Sequence, residues 1–360
     1  MATAARPEAF RLGTDESGRH PLPWLETPMA QARALARAHA LLLTGPAGAG
    51  HLELAGLLAQ AHLCETPAQA PCGRCGSCHL VRQRAHPDLL AVVPEAVRLR
   101  LGWVGDDEAA PKSDAKPSRD IRIEQVRQAI DWSHQTSGRG RGKVLLLHPA
   151  DALNGPSANA LLKTLEEPAA GLRLLLTSTD PERLLPTIRS RCQRVRLALP
   201  VQDTALAWLA ERQLSATDAQ ALMAAAAGSP LEALALAGEG IDAAWLGGLP
   251  LRVAGGDSAM LAGRPLPRAI DLLLKLSHDL QALAAGSAPR FFIDSRWPPA
   301  ADMAAVVAWQ QALLRAARHD EHPWNAALLL ESLVTQAAAL WPPTTPPGAG
   351  RRTPSLHSAG

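Results

Sequence analysis

The stretch from Leu41 to Leu54 constrains this chain more than any other. The apolar run Leu41-Leu42-Leu43 ends in the glycine-rich turn Gly45-Pro46-Ala47-Gly48-Ala49-Gly50, and a helical pattern starts directly behind it. Strand, turn and helix N-terminus in that order are the layout of a phosphate-binding loop. Glycines there let backbone N–H groups converge on an anion that the helix dipole also favours. The working motif is G-x-x-x-x-G-K-[ST]. Gly45 and Gly50 keep its spacing with Gly48 between them, but His51 stands at the lysine position and Leu52 at the hydroxyl position. The frame of a nucleotide site is present without the ammonium that grips the β/γ-phosphates or the hydroxyl that reaches Mg²⁺.

A second signal follows the helix. Four of the five cysteines crowd into Cys64-x₇-Cys72-x₂-Cys75-x₂-Cys78, among Pro67, Pro71, Gly73 and Gly76. The C-x-x-C spacing lets two thiolates reach one ion from a tight turn, and glycine permits the positive φ that such a turn needs. Four thiolates with no further ligand suit a closed, structural Zn²⁺ site. His62, His79 and His86 lie nearby but are read as surface or capping residues, because the cysteines already complete a tetrahedron. With no export signal near the N-terminus, the clustering is read as metal binding in a reducing cytosol rather than as disulfides.

The rest of the chain alternates strand and helix signals. Leu89–Val93, Lys143–Leu147, Arg173–Ser178 and Val195–Leu199 are apolar runs like Leu41–Leu43. Helical patterns cover Thr27–Ala40, with Thr27 as N-cap, then His51–His62, Ile121–Trp132, Ser157–Glu167 and Leu184–Arg189. Strands that are apolar throughout and alternate with helices indicate a parallel sheet covered on both faces. Beyond about residue 201 the strand signals stop and Ala/Leu-rich helices follow. The expected organisation is a loose extension over 1–20, an α/β domain over 21–200 carrying the Cys₄ module at 64–78, a helical lid over 201–240, a second helical domain over 241–341, and a Pro/Gly/Ser/Thr-rich disordered tail over 342–360. The charged, Pro-containing stretch 105–119 reads as a mobile loop. The formal net charge of +2 argues against a nucleic-acid coat over the whole surface while permitting local basic patches. No apolar run approaches membrane-spanning length.

Four features together carry a resemblance. They are the P-loop frame, the four-Cys module behind the P-loop helix, the run Asn159-Ala160-Leu161-Leu162-Lys163-Thr164-Leu165-Glu166-Glu167-Pro168, and Ser190-Arg191-Cys192. The chain from about Pro21 to Leu236 resembles the bacterial DNA polymerase III clamp-loader subunits of the AAA+ class. The resemblance implies an AAA+ parallel sheet core with helices on both faces, an inserted zinc module, and all-helical lid and collar domains.

In the motor subunits of that family an acidic Walker B pair lies 11 and 10 residues before the Asn of N-A-L-L-K. Here those positions hold His148 and Pro149. Asp151 is the nearest acid and is out of register. Thr179 matches the polar sensor at the end of the fourth strand, and the stretch Ala227–Leu234 lacks the second sensor's arginine. Arg191 matches the family's arginine finger, which points into a neighbouring subunit's nucleotide site. Glu166 and Lys163 are helical neighbours to which no chemistry is assigned. Arg139, Arg141, Arg189, Arg194 and Arg196 are candidates for a basic surface.

The resemblance thus implies a subunit that does not hydrolyse ATP itself, within a DNA-directed DNA polymerase holoenzyme. Its expected partners are homologous tau/gamma motor subunits, the delta subunit, the sliding clamp and primed DNA, in the cytoplasmic, nucleoid-associated replisome and away from membranes. An ATP-hydrolysing motor of the same machine is the first alternative. A stand-alone zinc-dependent DNA-binding protein is the second.

Overall fold

The computed structural model describes residues 10–15, 17–103, 117–299, 301–318 and 325–341. The expected disordered tail over 342–360, and all but Pro117, Ser118 and Arg119 of the expected mobile loop, lie outside these residues. The chain divides into two compact units, Met1–Leu214 with Gly228–Ala235, and Ser215–Ala227 with Leu236–Gly360.

The first unit is built on five parallel strands. These are β1 (Ala40–Thr44), β2 (Leu89–Val92), β3 (Lys143–Leu147), β4 (Leu172–Ser178) and β5 (Gln193–Arg196), in the order β2-β3-β4-β1-β5. Every residue of β1 and β3 is buried. A strand with no exposed alternate residue is covered on both faces, as the continuous apolar runs predict. The register sets Thr44 beside Ser178 and Leu147 beside Leu176. The C-terminal ends of β1, β3 and β4 therefore share one edge, the edge at which open α/β sheets place their ligand sites.

The helices of this unit are α1 (Glu26–Ala34), α2 (His51–Leu63), α3 (Gly76–Arg82), α4 (Glu95–Arg100), α5 (Ile123–Ser133), α6 (Gly155–Glu166), α7 (Pro186–Arg191) and α8 (Gln202–Ala210). The start of α1 corrects the expectation at Thr27. A 3-10 turn over Pro23–Leu25 runs straight into the helix, so Thr27 already lies inside it and has no free turn to cap. The helix also stops at Ala34, because Ala40 is taken into β1. The helices α3 and α4 were not expected.

The described part of the expected loose extension is packed. Leu12 is fully buried, and the Thr14 N–H donates to Gln60 Oε1 at 2.8 Å. An apolar side chain and a satisfied backbone group hold what composition alone suggested would be free.

Helix α10 (Pro230–Gly238) follows α9 (Ala216–Ala225) in the chain. The second unit also contains α11 (Ala243–Ala254), α12 (Leu266–Ala284), α13 (Met303–Arg318) and α14 (Ala326–Ala338), with α12 packed on α13, and α11 and α13 on α14. The Trp309 indole donates to the Leu333 carbonyl at 2.9 Å, tying α13 to α14. The fully buried Asp279 carboxylate accepts the backbone N–H groups of Arg290, Phe291 and Phe292 and so pins the segment after α12. Among the described residues no single helix is long and apolar enough to cross a membrane.

Candidate functional site

The phosphate-loop frame forms as the glycines predict. Gly48 and Gly50 adopt φ of 75° and 98°, and Gly50 caps the N-terminus of α2. The loop is gripped from two sides. The Trp24 indole donates to the Ala49 carbonyl at 3.0 Å, and the Ser229 hydroxyl lies 3.5 Å from the Gly48 carbonyl, where any side chain at position 48 would collide with it. His51 and Leu52 open α2 and are both buried, at 6% and 5% exposure. Burial holds the His51 imidazole below its ordinary pKa, against the opposing pull of the Asp151 carboxylate and of a hydrogen bond with the Gly45 backbone. A neutral imidazole replaces the ammonium a phosphate would need, and an aliphatic side chain replaces the Mg²⁺-bound hydroxyl. The side chains present do not fit a Mg²⁺-nucleotide.

The neighbouring strand ends agree. His148 follows β3 with Nδ1 2.8 Å from Thr177 Oγ1, and burial together with the charge of Arg100 and the proximity of His51 pushes its pKa down to about 4. Pro149 offers no carboxylate. Asp151, set aside in the sequence as out of register, is nevertheless brought to this place. Its Oδ2 accepts from Thr179 Oγ1 at 3.4 Å, and its charge acts on His51. The buried atoms His51 Nε2, Asp151 Oδ1 and Ser178 Oγ have no hydrogen-bond partner within the protein. His51, at the lysine position, and Asp151, out of register with the acid pair, thus come together beside the loop. Sequence spacing could not show this, because Asp151 reaches the site through a 3-10 turn over Ala150–Ala152.

Arg191 is the last residue of α7, not a residue beyond its end. Its guanidinium donates from Nη1 to the Thr187 carbonyl at 2.9 Å and from Nη2 to Glu166 Oε1 at 2.5 Å. Glu166 ends α6, and the sequence paired it only with Lys163. The following Cys192 is buried, and burial pushes its thiol up to about 12, so it packs as a small apolar group. Two other candidate basic residues are also matched with acids, Arg189 with Glu182 and Arg139 with Glu65.

Cys64, Cys72, Cys75 and Cys78 converge. All four sulfurs lie within 4.8 Å of one another, with Cys64–Cys75 at 3.9 Å and Cys72–Cys78 at 3.8 Å. A tetrahedron with Zn–S bonds of about 2.3 Å has edges of about 3.8 Å, so the donor set fits zinc. Backbone N–H groups of Thr66, Cys75 and Cys78 each point at a sulfur at 3.4 Å, an arrangement that favours thiolates. Gly73, at φ 71°, makes the turn between the second and third ligands.

None of the three nearby histidines joins this set. His79 is exposed, but His86 is buried and not a surface residue. The Asp88 N–H donates to its Nδ1, so Nε2 carries the proton and faces Ser77 Oγ at 3.2 Å. Ser77 in turn donates to Glu65, which holds Arg139. The module is thereby laced to the loop at 137–139, whose Ser137 hydroxyl and Gly138 and Arg139 N–H groups all donate to Asp88.

Residues 26–200 match the family described as DNA polymerase III, delta subunit. A DNA polymerase III subunit delta' from Pseudomonas aeruginosa is 42% identical over 224 residues, covering 61% of this chain and 62% of that protein. The Escherichia coli subunit delta' is 34% identical over 220 residues, covering 59% and 60%. The Escherichia coli subunit tau is 36% identical over 180 residues, covering 49% of this chain and 24% of tau. The chain therefore spans about three fifths of the length of the two delta' proteins it matches. Through residues 26–200 the chain is thus similar to the DNA polymerase III delta-subunit family, and its relatives include delta' subunits at up to 42% identity.

Proposed function

We propose that this chain is a non-hydrolysing, delta-prime-type subunit of a DNA polymerase III clamp loader, and that it supplies Arg191 to the ATP site of an adjacent tau/gamma-type motor subunit. The observation that carries this reading is a contrast within one unit. The positions that should grip the β/γ-phosphates and Mg²⁺ hold His51, Leu52, His148 and Pro149, while an arginine that would act outward is kept at the surface, with its side chain 34% exposed.

In its own loop a neutral His51, an aliphatic Leu52, His148 and Pro149 leave no group to grip a γ-phosphate, hold Mg²⁺ or orient an attacking water. Across a subunit boundary, the Arg191 guanidinium would meet the charge that develops on a neighbour's transferring phosphoryl group. Such a contact is worth about 10³–10⁵ in rate where it has been isolated. The Cys₄ module would hold a structural Zn²⁺, which supplies cross-linking and no reaction chemistry. Assembly with the motor subunits and the delta subunit is assigned to the helices of residues 241–341, and the assembled loader would open the sliding clamp and place it on primed DNA in the cytoplasmic replisome.

The test is reconstitution with motor subunits. The isolated chain should show no ATP turnover above background, and Arg191→Ala should assemble normally while lowering turnover by the complex at least tenfold. Turnover by the isolated chain, abolished by Gly50→Val, would establish a motor instead. Unchanged turnover in the Arg191→Ala complex would remove the finger.

A further inference from the structure

We infer that Glu166 is the positioning residue for Arg191, holding its guanidinium ready for the neighbouring ATP site; this rests on the reading of Arg191 as a trans-acting finger. The contact joins the C-terminal ends of two helices. Glu166 is the last residue of α6 and Arg191 the last residue of α7, and the two helices pack together. A carboxylate at a helix C-terminus is opposed by the macrodipole, whereas a cation there is favoured. Glu166 thus sits where its own helix disfavours it, and the Arg191 charge offsets that cost.

The geometry is that of a clamp on one end of a planar group. Nη2 donates to Glu166 Oε1 at 2.5 Å, and Nη1 donates to the Thr187 carbonyl at 2.9 Å. A guanidinium has five N–H groups, so two such bonds fix its plane and leave three for a phosphate. With side chains 34% and 49% exposed, the pair is screened by water and its net attraction is small. It therefore restricts the many rotamers of a long side chain without withdrawing the charge from an incoming anion. A longer search among those rotamers would fall on the catalytic step, because the contact to phosphate matters most in the transition state.

The experiment is steady-state ATP turnover by the reconstituted loader carrying single and paired substitutions in this subunit. Glu166→Ala should lower kcat about three- to tenfold with KM for ATP within about twofold, since only ordering of the finger is lost. Glu166→Gln keeps an oxygen that accepts from Nη2 and should recover most of the rate. Adding Glu166→Ala to Arg191→Ala should change nothing further. If Glu166→Ala leaves kcat unchanged or raises it while Arg191→Ala lowers it, the finger stands and the positioning role is overturned. An equal loss from Glu166→Ala in the Arg191→Ala background would likewise overturn it, by showing that Glu166 acts elsewhere. If Arg191→Ala itself has no effect, the finger reading fails and this inference fails with it. The melting temperature of each variant reports separately on folding.

Discussion

At the scale of single residues, two histidines of the first unit are held neutral by their surroundings. His148 is pushed down to about 4, mainly by burial, and His62 to about 4 by burial and the charges of Arg173 and Arg141. A histidine whose folded pKa lies below its unfolded value of about 6.5 binds fewer protons in the native state, so stability rises with pH across that interval. The contribution is fully present above about pH 6.5 and is lost as pH falls towards 4. For His148 alone the loss amounts to roughly 1–3 kcal/mol once both states are protonated. His148→Gln cannot be protonated in either state. Its thermal melts should fall less than those of the wild type between pH 7 and pH 4.5, and identical acid sensitivity in the two proteins would show that His148 is not charged at its expense.

At the scale of elements, the Cys₄ module is a fastener as well as a candidate metal site. Gln60 on α2 donates to the Cys78 carbonyl at 3.0 Å while its other amide atom accepts from Thr14. Arg82 on α3 donates to the carbonyls of Thr14 and Gly73. The segment around Leu12, the P-loop helix and the Cys₄ turn therefore share one buried network, and loss of a structural Zn²⁺ held there, as proposed above, should loosen all three. Cys75→Ser, or exhaustive chelation, should lower the melting temperature by about 10 °C, equivalent to roughly 3–5 kcal/mol. A wild-type protein that carries no zinc and melts with Cys75→Ser would refute this.

The same elements show what could be read from residues alone. Strands β1, β3 and β4 were legible because an all-apolar run has only one place to go in an α/β layer. Helix α3 was not, because Gly76 and Cys78 hide its period, and its start is set by the Cys75 sulfur accepting the Cys78 N–H. The four cysteines were legible from spacing. The approach of Asp151 to Thr179 and of Glu166 to Arg191 was not, since each spans more than twenty residues and depends on how β4 and α7 are placed.

At the scale of the whole molecule, charge argues against the chain acting alone on DNA. The formal net charge is +2, and two of the arginines named as candidates for a basic surface are matched to acids, Arg139 to Glu65 and Arg189 to Glu182. Affinity for a duplex comes largely from cations that neutralise phosphates and release counterions, and each matched arginine contributes less to that release. A stand-alone zinc-dependent DNA-binding protein would need the opposite balance. The isolated chain should therefore bind a primed template no more tightly than about 10⁻⁵ M at physiological salt, as measured by fluorescence anisotropy. The reconstituted loader should bind the same template far more tightly. Cys72→Ser, which removes a zinc ligand, should lower stability or assembly without any separate loss of DNA contact. Nanomolar binding by the chain alone, lost on Cys72→Ser at a temperature where that variant is still folded, would overturn the reading as a non-hydrolysing clamp-loader subunit and make the Cys₄ module a DNA-reading element.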